Sequence, residues 1–370
     1  MKKWLLSLCM VLALVACKDE KKATAQSVTK PVVKIGASLP LSGDYARIGQ
    51  ANQQAILMAL DKWKNKETKY NYDVVFEDDQ MAPQRAAMVA NKFINVDKVK
   101  AIITTWGITG PVVADIADKN KVISMACAGM SEIVNPYYSF NHFTQDDKLA
   151  EKLVYILKKN DIKTVVLAHT TAPAYDEKAD TMQKKLNENG IAVLATERYN
   201  ISETDFRISI RKFEDLNPDA YITFVMMPGT VNFINQFQQI TQGHRKMIGL
   251  HVFNEMPEKY WSLVNGRYSV RDTNGTAEFS KMFQEKTGTE NQPCSGNHFD
   301  NVDLFIWAFE NTPVRDGNNI PNTEDVVKTL HHIKNWQGAV GNISVDDSGI
   351  INSEAVLEIY QDGKPIEVKE

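Results

Sequence analysis

A strand–helix–strand pattern between residues 100 and 130 constrains the fold more than any other feature of the sequence. The run AIITT at 101–105 is short, apolar and β-branched, which is typical of a strand buried on both faces. Apolar residues spaced through 109–119 indicate one face of a helix. A second apolar run follows at 121–125. Two such strands joined by a helix predict a parallel sheet covered by helices, and hence an α/β fold.

The loops after these two strands are the first candidates for a binding site. Trp106 and Gly107 follow the first strand, and Ala126, Cys127 and Ala128 follow the second. In an open parallel sheet, ligands bind beyond the carboxyl ends of the strands. Free N–H groups at the start of the intervening helix would suit a carboxylate. The alternative is that these loops only connect the elements of the sheet.

The same alternation of strands and helices extends along most of the chain. It begins with a strand at 32–39, breaks near 134–138 and resumes up to about residue 250. After 257 the pattern loosens, and the tail at 338–368 alternates apolar and polar residues around turn sequences, which predicts a hairpin. A length of 370 residues is sufficient for two cores. We therefore expect two α/β blocks and a mixed region that completes both.

The N-terminus has the pattern of an export signal. Two lysines precede an apolar segment at 4–16, which is too short to cross a membrane as a helix. The sequence LVAC that ends at Cys17 resembles a bacterial lipobox, which predicts a lipoprotein signal peptide at 1–16 and lipidation of Cys17. Polar residues at 17–31 then form a flexible tether. The alternative is ordinary cleavage further on, with Cys17 discarded.

Either interpretation places the folded chain in the periplasm or cell envelope, and the lipobox would attach it to a membrane by the lipid alone. Disulfides are permitted there. Cys127 and Cys294 remain in the folded part. The sequence does not decide whether they pair or stay as two free buried thiols.

Charge and motifs exclude several classes of function. The net charge is −4, and no block of like charge stands out, so nucleic acid is not an expected partner. The sequence contains none of the short motifs of zinc hydrolases, serine hydrolases, phosphate-binding loops or dinucleotide sites. We therefore expect no catalytic residues, no metal and no cofactor.

Several segments, in order along the chain, resemble one family. They read IGASLPLSG, FEDDQMAPQRAAMVANKFI, VKAIITT, VISMACAGMSEI, FTQDDKLAEKLVYIL and NHFDNVDLFIWAF. They are similar to the type I periplasmic binding proteins of branched-chain (Leu/Ile/Val-type) amino-acid ABC transporters. The resemblance implies two Rossmann-like lobes joined by a three-strand hinge, which close like a Venus flytrap. It implies 32–141 plus 276–330 as lobe 1, and 142–271 plus 331–370 as lobe 2.

The resemblance also implies a function without catalysis. The expected protein is an extracytoplasmic solute-binding lipoprotein of an ABC importer. It captures a small amino acid or a related hydrophobic or aromatic carboxylate and delivers it to the permease. An alternative with the same fold is a ligand sensor or envelope-assembly lipoprotein that acts on a partner protein. An enzyme would rest on the α/β plan alone, and that plan does not specify a function.

The resemblance implies specific contacts for the ligand carboxylate. In members that bind amino acids, the loop after the third strand offers a hydroxyl and backbone N–H groups. Gly107 takes that position here, flanked by Trp106 and Thr109. Only Thr105 or Thr109 could replace the missing hydroxyl.

Two further positions depart from the family pattern. The next loop normally adds a threonine hydroxyl, but here it reads Ala126, Cys127, Ala128. The carboxylate of lobe 2 that pairs with a ligand ammonium is matched by His251, with Glu255 nearby. Burying a ligand ammonium without a partner carboxylate would cost roughly several kcal/mol. These departures predict a ligand other than a plain α-amino acid.

Apolar and aromatic positions follow the family more closely. Tyr175 matches a tyrosine of lobe 2 that contacts the ligand, Tyr45 and Ile48 lie in the first loop, and Met227 heads a loop of lobe 2. With Trp106 they predict an aromatic pocket with few polar groups. The alternatives are that Trp106 packs beneath its loop and that Tyr175 only begins a helix.

Overall fold

Two separate sheets organise the part of the chain that the computed structural model describes, residues 30–134 and 137–368. The predicted signal peptide, Cys17 and nearly all of the tether lie outside these residues. Within the described ranges, no helix is both long and apolar enough to cross a membrane.

The first sheet is entirely parallel and has six strands in the order β13-β5-β4-β3-β1-β2. All five residues of β3 and of β4 are buried; β3 matches the predicted run at 101–105, whereas β4 begins and ends two residues later than the run at 121–125. The strands are β1 (Val32–Leu39), β2 (Asn71–Asp78), β3 (Ala101–Thr105), β4 (Ile123–Cys127), β5 (Ser139–His142) and β13 (Ile350–Ile351).

Helices from both ends of the chain cover the first sheet, and we call the whole unit the first lobe. They are α1 (Ala46–Lys64), α2 (Pro83–Lys92), α3 (Trp106–Lys119), α9 (Ala277–Thr287), α10 (Ser295–Asn311) and α11 (Thr323–His331). A small hairpin of β11 (Trp336–Gly338) and β12 (Gly341–Ile343) packs beside them. Helix α3 begins three residues before the predicted start at 109, because the chain turns sharply at Trp106, whose φ is 64°.

The second sheet has seven strands in the order β15-β14-β10-β9-β8-β6-β7 and forms the second lobe. The last two strands pair antiparallel, which confirms the hairpin predicted for the tail. The strands are β6 (Thr164–Thr170), β7 (Ala192–Tyr199), β8 (Ala220–Phe224), β9 (Lys246–Leu250), β10 (Tyr268–Asp272), β14 (Ala355–Gln361) and β15 (Lys364–Glu367). The helices of this lobe are α4 (Asp146–Lys159), α5 (Pro173–Glu188), α6 (Arg207–Asp215), α7 (Gly229–Thr241) and α8 (Val252–Glu255).

The chain crosses between the lobes three times: after β5, after β10 and after β13. The third crossing lies later than the resemblance implies. Ile333, Val345 and Ile351 belong to the core of the first lobe, although 331–370 is predicted to lie in lobe 2. The reason is that β13 pairs with β5 at the edge of the first sheet, so the chain crosses only after Ile351.

A disulfide joins Cys127 to Cys294, so the pairing that the sequence leaves open is formed. It connects the end of β4 to the residue before α10, and both residues are in the first lobe. The two cysteines are completely buried and pack with Phe143 and Trp106. The disulfide therefore lies directly beneath the loop that begins α3.

Candidate functional site

The two lobes enclose a cavity at the carboxyl ends of their strands. The first lobe contributes the start of α3, and the second contributes the start of α5 and the residues around α8. Four of the predicted residues line this cavity: Trp106, Gly107, Tyr175 and His251. The structure therefore brings together predicted residues from both lobes.

Three other predicted residues lie behind the aromatic wall of the cavity. Tyr45 and Ile48 are buried in a cluster with Met226, and the third predicted residue, Met227, packs against it. The rings of Tyr45 and Trp106 meet edge to face at 4.8 Å, and the Tyr45 hydroxyl donates to the Met227 carbonyl at 3.4 Å. Tyr45 thus supports Trp106 and also connects the two lobes.

The threonine hydroxyls proposed for the ligand are already bonded within the protein. The Thr105 hydroxyl pairs with His298 Nε2 at 2.8 Å, and the Thr109 hydroxyl donates to the Thr105 carbonyl at 2.7 Å. Both side chains are buried and lie outside the cavity lining. In this structure neither Thr105 nor Thr109 reaches the cavity, and their contact with a ligand stays a prediction.

The residues predicted as the second loop, 126–128, also lie beneath the cavity wall, and the first two of them belong to β4. Cys127 is in the disulfide, and both backbone groups of Ala128 are bonded to Asn141: its N–H donates to Oδ1 at 3.1 Å and its carbonyl accepts from Nδ2 at 2.7 Å. Ala126 packs in a small buried cluster beside α3. The next residue, Gly129, lines the cavity instead.

Sequence reasoning missed most of the polar lining. Lys178, Asn254, Glu255 and Asp272 all face the cavity. The cavity therefore contains two carboxylates in addition to His251, the residue that matches the family's carboxylate position. Lys178 sits in a helical pattern where a lysine usually faces solvent, and Asp272 follows a stretch with weak periodicity. Glu255 is already noted in the sequence as the acid near His251.

Several polar atoms at the cavity have no partner among residues 30–134 and 137–368. They are Nε2 of His251, both amide atoms of Asn254, Oε2 of Glu255 and Oδ2 of Asp272. Each belongs to a side chain that is at least nine-tenths buried. An unpaired buried polar atom is costly, and native structures contain few of them. Their convergence on one cavity indicates groups that a bound molecule would satisfy.

Burial shifts the titration of these groups in opposite directions. It raises the pKa of Glu255 to about 7, and the nearby Asp272 carboxylate adds to this increase while the Lys178 ammonium opposes it. Burial also lowers the pKa of His251, and Lys178 contributes further, although Asp272 accepts from the ring at 2.8 Å. Near neutral pH the imidazole is neutral and Glu255 is close to its titration midpoint.

Backbone strain occurs at residues in and beside the cavity, as it does at several positions elsewhere in the chain. Trp106 has φ of 64°, His251 of 63° and Cys294 of 69°, all in the left-handed region that non-glycine residues rarely occupy. Trp106 begins α3, and His251 immediately precedes α8. Such strain persists only where the surrounding structure holds it, and it is most common at functional sites.

Two α/β lobes, three chain crossings and a cavity lined from both sides define a two-lobed ligand-binding protein. The chain belongs to the periplasmic binding protein family, whose sequence profile matches residues 32–363. This is a family of binding proteins and not of enzymes.

Known proteins agree with this assignment. The chain is 26% identical over 213 residues to the leucine-, isoleucine-, valine-, threonine- and alanine-binding protein of Pseudomonas aeruginosa, and the match covers 55% of each chain. A leucine-binding protein of Thermotoga maritima superposes with a TM-score of 0.81 at 20% identity, covering 91% of this chain and 98% of that one. A solute-binding protein of Rhodopseudomonas palustris in complex with 3,4-dihydroxybenzoic acid gives 0.78 at 20% identity, with 91% and 96% covered. At these identities the superpositions establish the fold.

Proposed function

We propose that this protein is the extracytoplasmic solute-binding component of an ABC importer and that it captures an amino acid with an apolar or aromatic side chain. The observation that carries the proposal is the set of unpartnered buried polar atoms around an aromatic cavity between the lobes. The names of the Pseudomonas and Thermotoga relatives, which bind leucine and similar amino acids, support the same class of ligand.

The two carboxylates favour a ligand with a positive charge. Glu255 and Asp272 each direct one oxygen to the cavity that has no partner in the described part of the chain. A ligand ammonium between them would reduce their mutual repulsion and donate hydrogen bonds to both. Asn254 adds an amide beside them. This arrangement suits an amino acid better than an aromatic acid that lacks an amine.

The opposite wall offers groups for a carboxylate. Trp106, Gly107 and Ile108 line the cavity at the start of α3, a helix of 14 residues. Backbone N–H groups in the first turn of a helix have no partner within the helix, and the helix dipole favours an anion there. The ammonium of Lys178 lies at the same cavity, paired with Asp146.

Capture would proceed by lobe closure. A ligand held by the start of α3 in the first lobe gains Glu255 and Asp272 only when the second lobe approaches. The closed state is then favoured by the difference in affinity between the two states. The importer would recognise this closed form.

A thermal-shift screen with matched compounds tests the proposed ligand. We would compare phenylalanine and leucine with 3-phenylpropionate, which lacks the amine, and phenethylamine, which lacks the carboxylate. A ligand at one hundred times its Kd should stabilise the protein by about 2.7 kcal/mol. The amino acids should raise the melting temperature most. A larger shift with 3-phenylpropionate, or shifts with sugars alone, would refute the proposal.

We also propose that Cys17 is lipidated and that the lipid is the only membrane anchor. The support is the lipobox sequence that ends at Cys17. Expression of the full chain should place the protein in the membrane fraction with an acylated N-terminal cysteine, as seen by mass spectrometry. Cys17→Ser should release it. Recovery of an unmodified chain cleaved after residue 25 would contradict the anchor.

A further inference from the structure

We propose that Arg47 is a latch that holds the two lobes closed, and that it does this from outside the ligand cavity. Arg47 belongs to α1 of the first lobe. Its Nη1 donates to the side chain of Gln292, also in the first lobe. Its Nη2 donates to the carbonyls of Glu255 at 3.4 Å and Met256 at 3.3 Å, both in the second lobe.

One of the two carbonyls that Arg47 reaches, that of Glu255, lies at the end of a helix. Helix α8 has a single turn that ends at Glu255, so its last carbonyls have no partner within the helix. A guanidinium presents several donors in one plane and can satisfy two acceptors at once. A cation also interacts favourably with the carbonyl end of a helix. Met256 shares its carbonyl with Trp261, whose indole N–H donates at 3.1 Å.

The charges around Arg47 come from both lobes. Glu290 of the first lobe and Glu258 of the second lie close enough to favour the guanidinium cation, although burial lowers its pKa. Separating the lobes would remove Glu258 and both carbonyls from Arg47 while leaving Gln292 in place. The latch is therefore anchored in one lobe and engages the other only on closure.

The same turn of helix connects the latch to the proposed ligand site. The side chains of Asn254 and Glu255 face the cavity, while the Glu255 carbonyl faces Arg47 on the outer side. Arg47 itself lines an outer groove with Gln50 and Glu258. Arg47 thus fixes the backbone of the residues that present ligand groups, without contacting the ligand. This link to the ligand site rests on the proposed function. The stabilisation of the closed form by Arg47 does not depend on it.

Single-molecule fluorescence transfer on the ligand-free protein tests the latch. Dyes at exposed Met88 on α2 and exposed Ile208 on α6 report the distance between the lobes. Arg47→Ala should shorten the dwell time of the closed state by about tenfold, the value expected for losing a charged hydrogen bond across the cleft. Arg47→Lys keeps the charge but loses the planar donors. Its dwell time should lie between those of wild type and Arg47→Ala.

Two further variants give matched controls. Gln50→Ala alters an exposed residue of the same helix and groove that bonds only within the first lobe, to the Leu41 carbonyl, so the dwell time should not change. Gln292→Ala removes the anchor. Combined with Arg47→Ala, it should shorten the dwell time of the closed state little further than Arg47→Ala alone. Equal dwell times for Arg47→Ala and wild type, or a wild-type chain that never closes without ligand, would overturn the latch. These measurements use no ligand. Failure to find an amino-acid ligand would therefore refute the proposed function and leave the test of the latch unaffected.

Discussion

Removing the Cys127–Cys294 disulfide should have a large effect on stability. The two cysteines are separated by 167 positions in the sequence, and both are completely buried. In the chain-entropy description, closing a loop of that length stabilises the fold by about 5 kcal/mol at 25 °C. Alanine at both positions retains the β-carbons and adds no polar group, so most of the measured loss should come from the unfolded chain.

The size of the effect also reports how the lobes unfold. The loop contains nearly all of the second lobe, from α4 to β10. If that lobe stays folded while the first unfolds, its ends stay close together, and the flexible loop shrinks to roughly 40 residues. The expected stabilisation is then about 4 kcal/mol. If both lobes unfold together, the larger value applies.

Urea unfolding followed by tryptophan fluorescence and circular dichroism distinguishes these cases. Coincident transitions would indicate joint unfolding, and two transitions would indicate separate lobes. Wild-type protein refolded in reductant serves as the control and should match Cys127→Ala/Cys294→Ala. A double variant within about 1 kcal/mol of the oxidised protein would refute the reasoning, because even partial loop closure exceeds that value.

Three other changes test the cavity. Trp106→Ala should weaken binding of an apolar amino acid by about tenfold or more in calorimetry while leaving the ligand-free melting temperature unchanged; equal affinity would remove Trp106 from the cavity wall. A ligand ammonium needs ionised Glu255, so affinity should rise as the pH passes upward through about 7, the pKa of this carboxyl. Glu255→Gln should flatten the dependence of affinity on pH; an unaltered slope would exclude Glu255 as the ammonium's partner. Lys178→Met leaves the mostly buried Asp146 unpaired and should cost about 3 kcal/mol in urea unfolding, with partial recovery in Lys178→Met/Asp146→Asn; a single variant as stable as wild type would contradict this.

Local patterns in the sequence were sufficient for much of the fold. Strands β1 and β3 begin and end where their apolar runs predict, because buried parallel strands are continuous apolar segments. Helix boundaries were less predictable. The early start of α3 depends on a left-handed Trp106, which no residue preference favours. The face of a helix is also hard to predict: Met88 is apolar but 73% exposed, because α2 buries Ala86, Val89 and Ala90 instead.

The candidate site was predictable only in part. Trp106 and Gly107 follow from their positions after a buried strand, whereas Tyr175 and His251 follow from the family resemblance. The roles of the threonines depend on partners far away in the chain: Thr105 pairs with His298, 193 residues later. Only the folded chain shows which hydroxyls are already bonded.

The three crossings have a consequence for how the protein is made. The first sheet lacks its edge strand until Ile350 and Ile351 have been synthesised, and the second lacks its antiparallel hairpin until Glu367 is in place. Neither lobe has all of its strands until this last part of the chain has been synthesised, so completion of both depends on the same final stretch of translation. A message truncated shortly before residue 350 would lack β13, β14 and β15 and would leave both sheets incomplete.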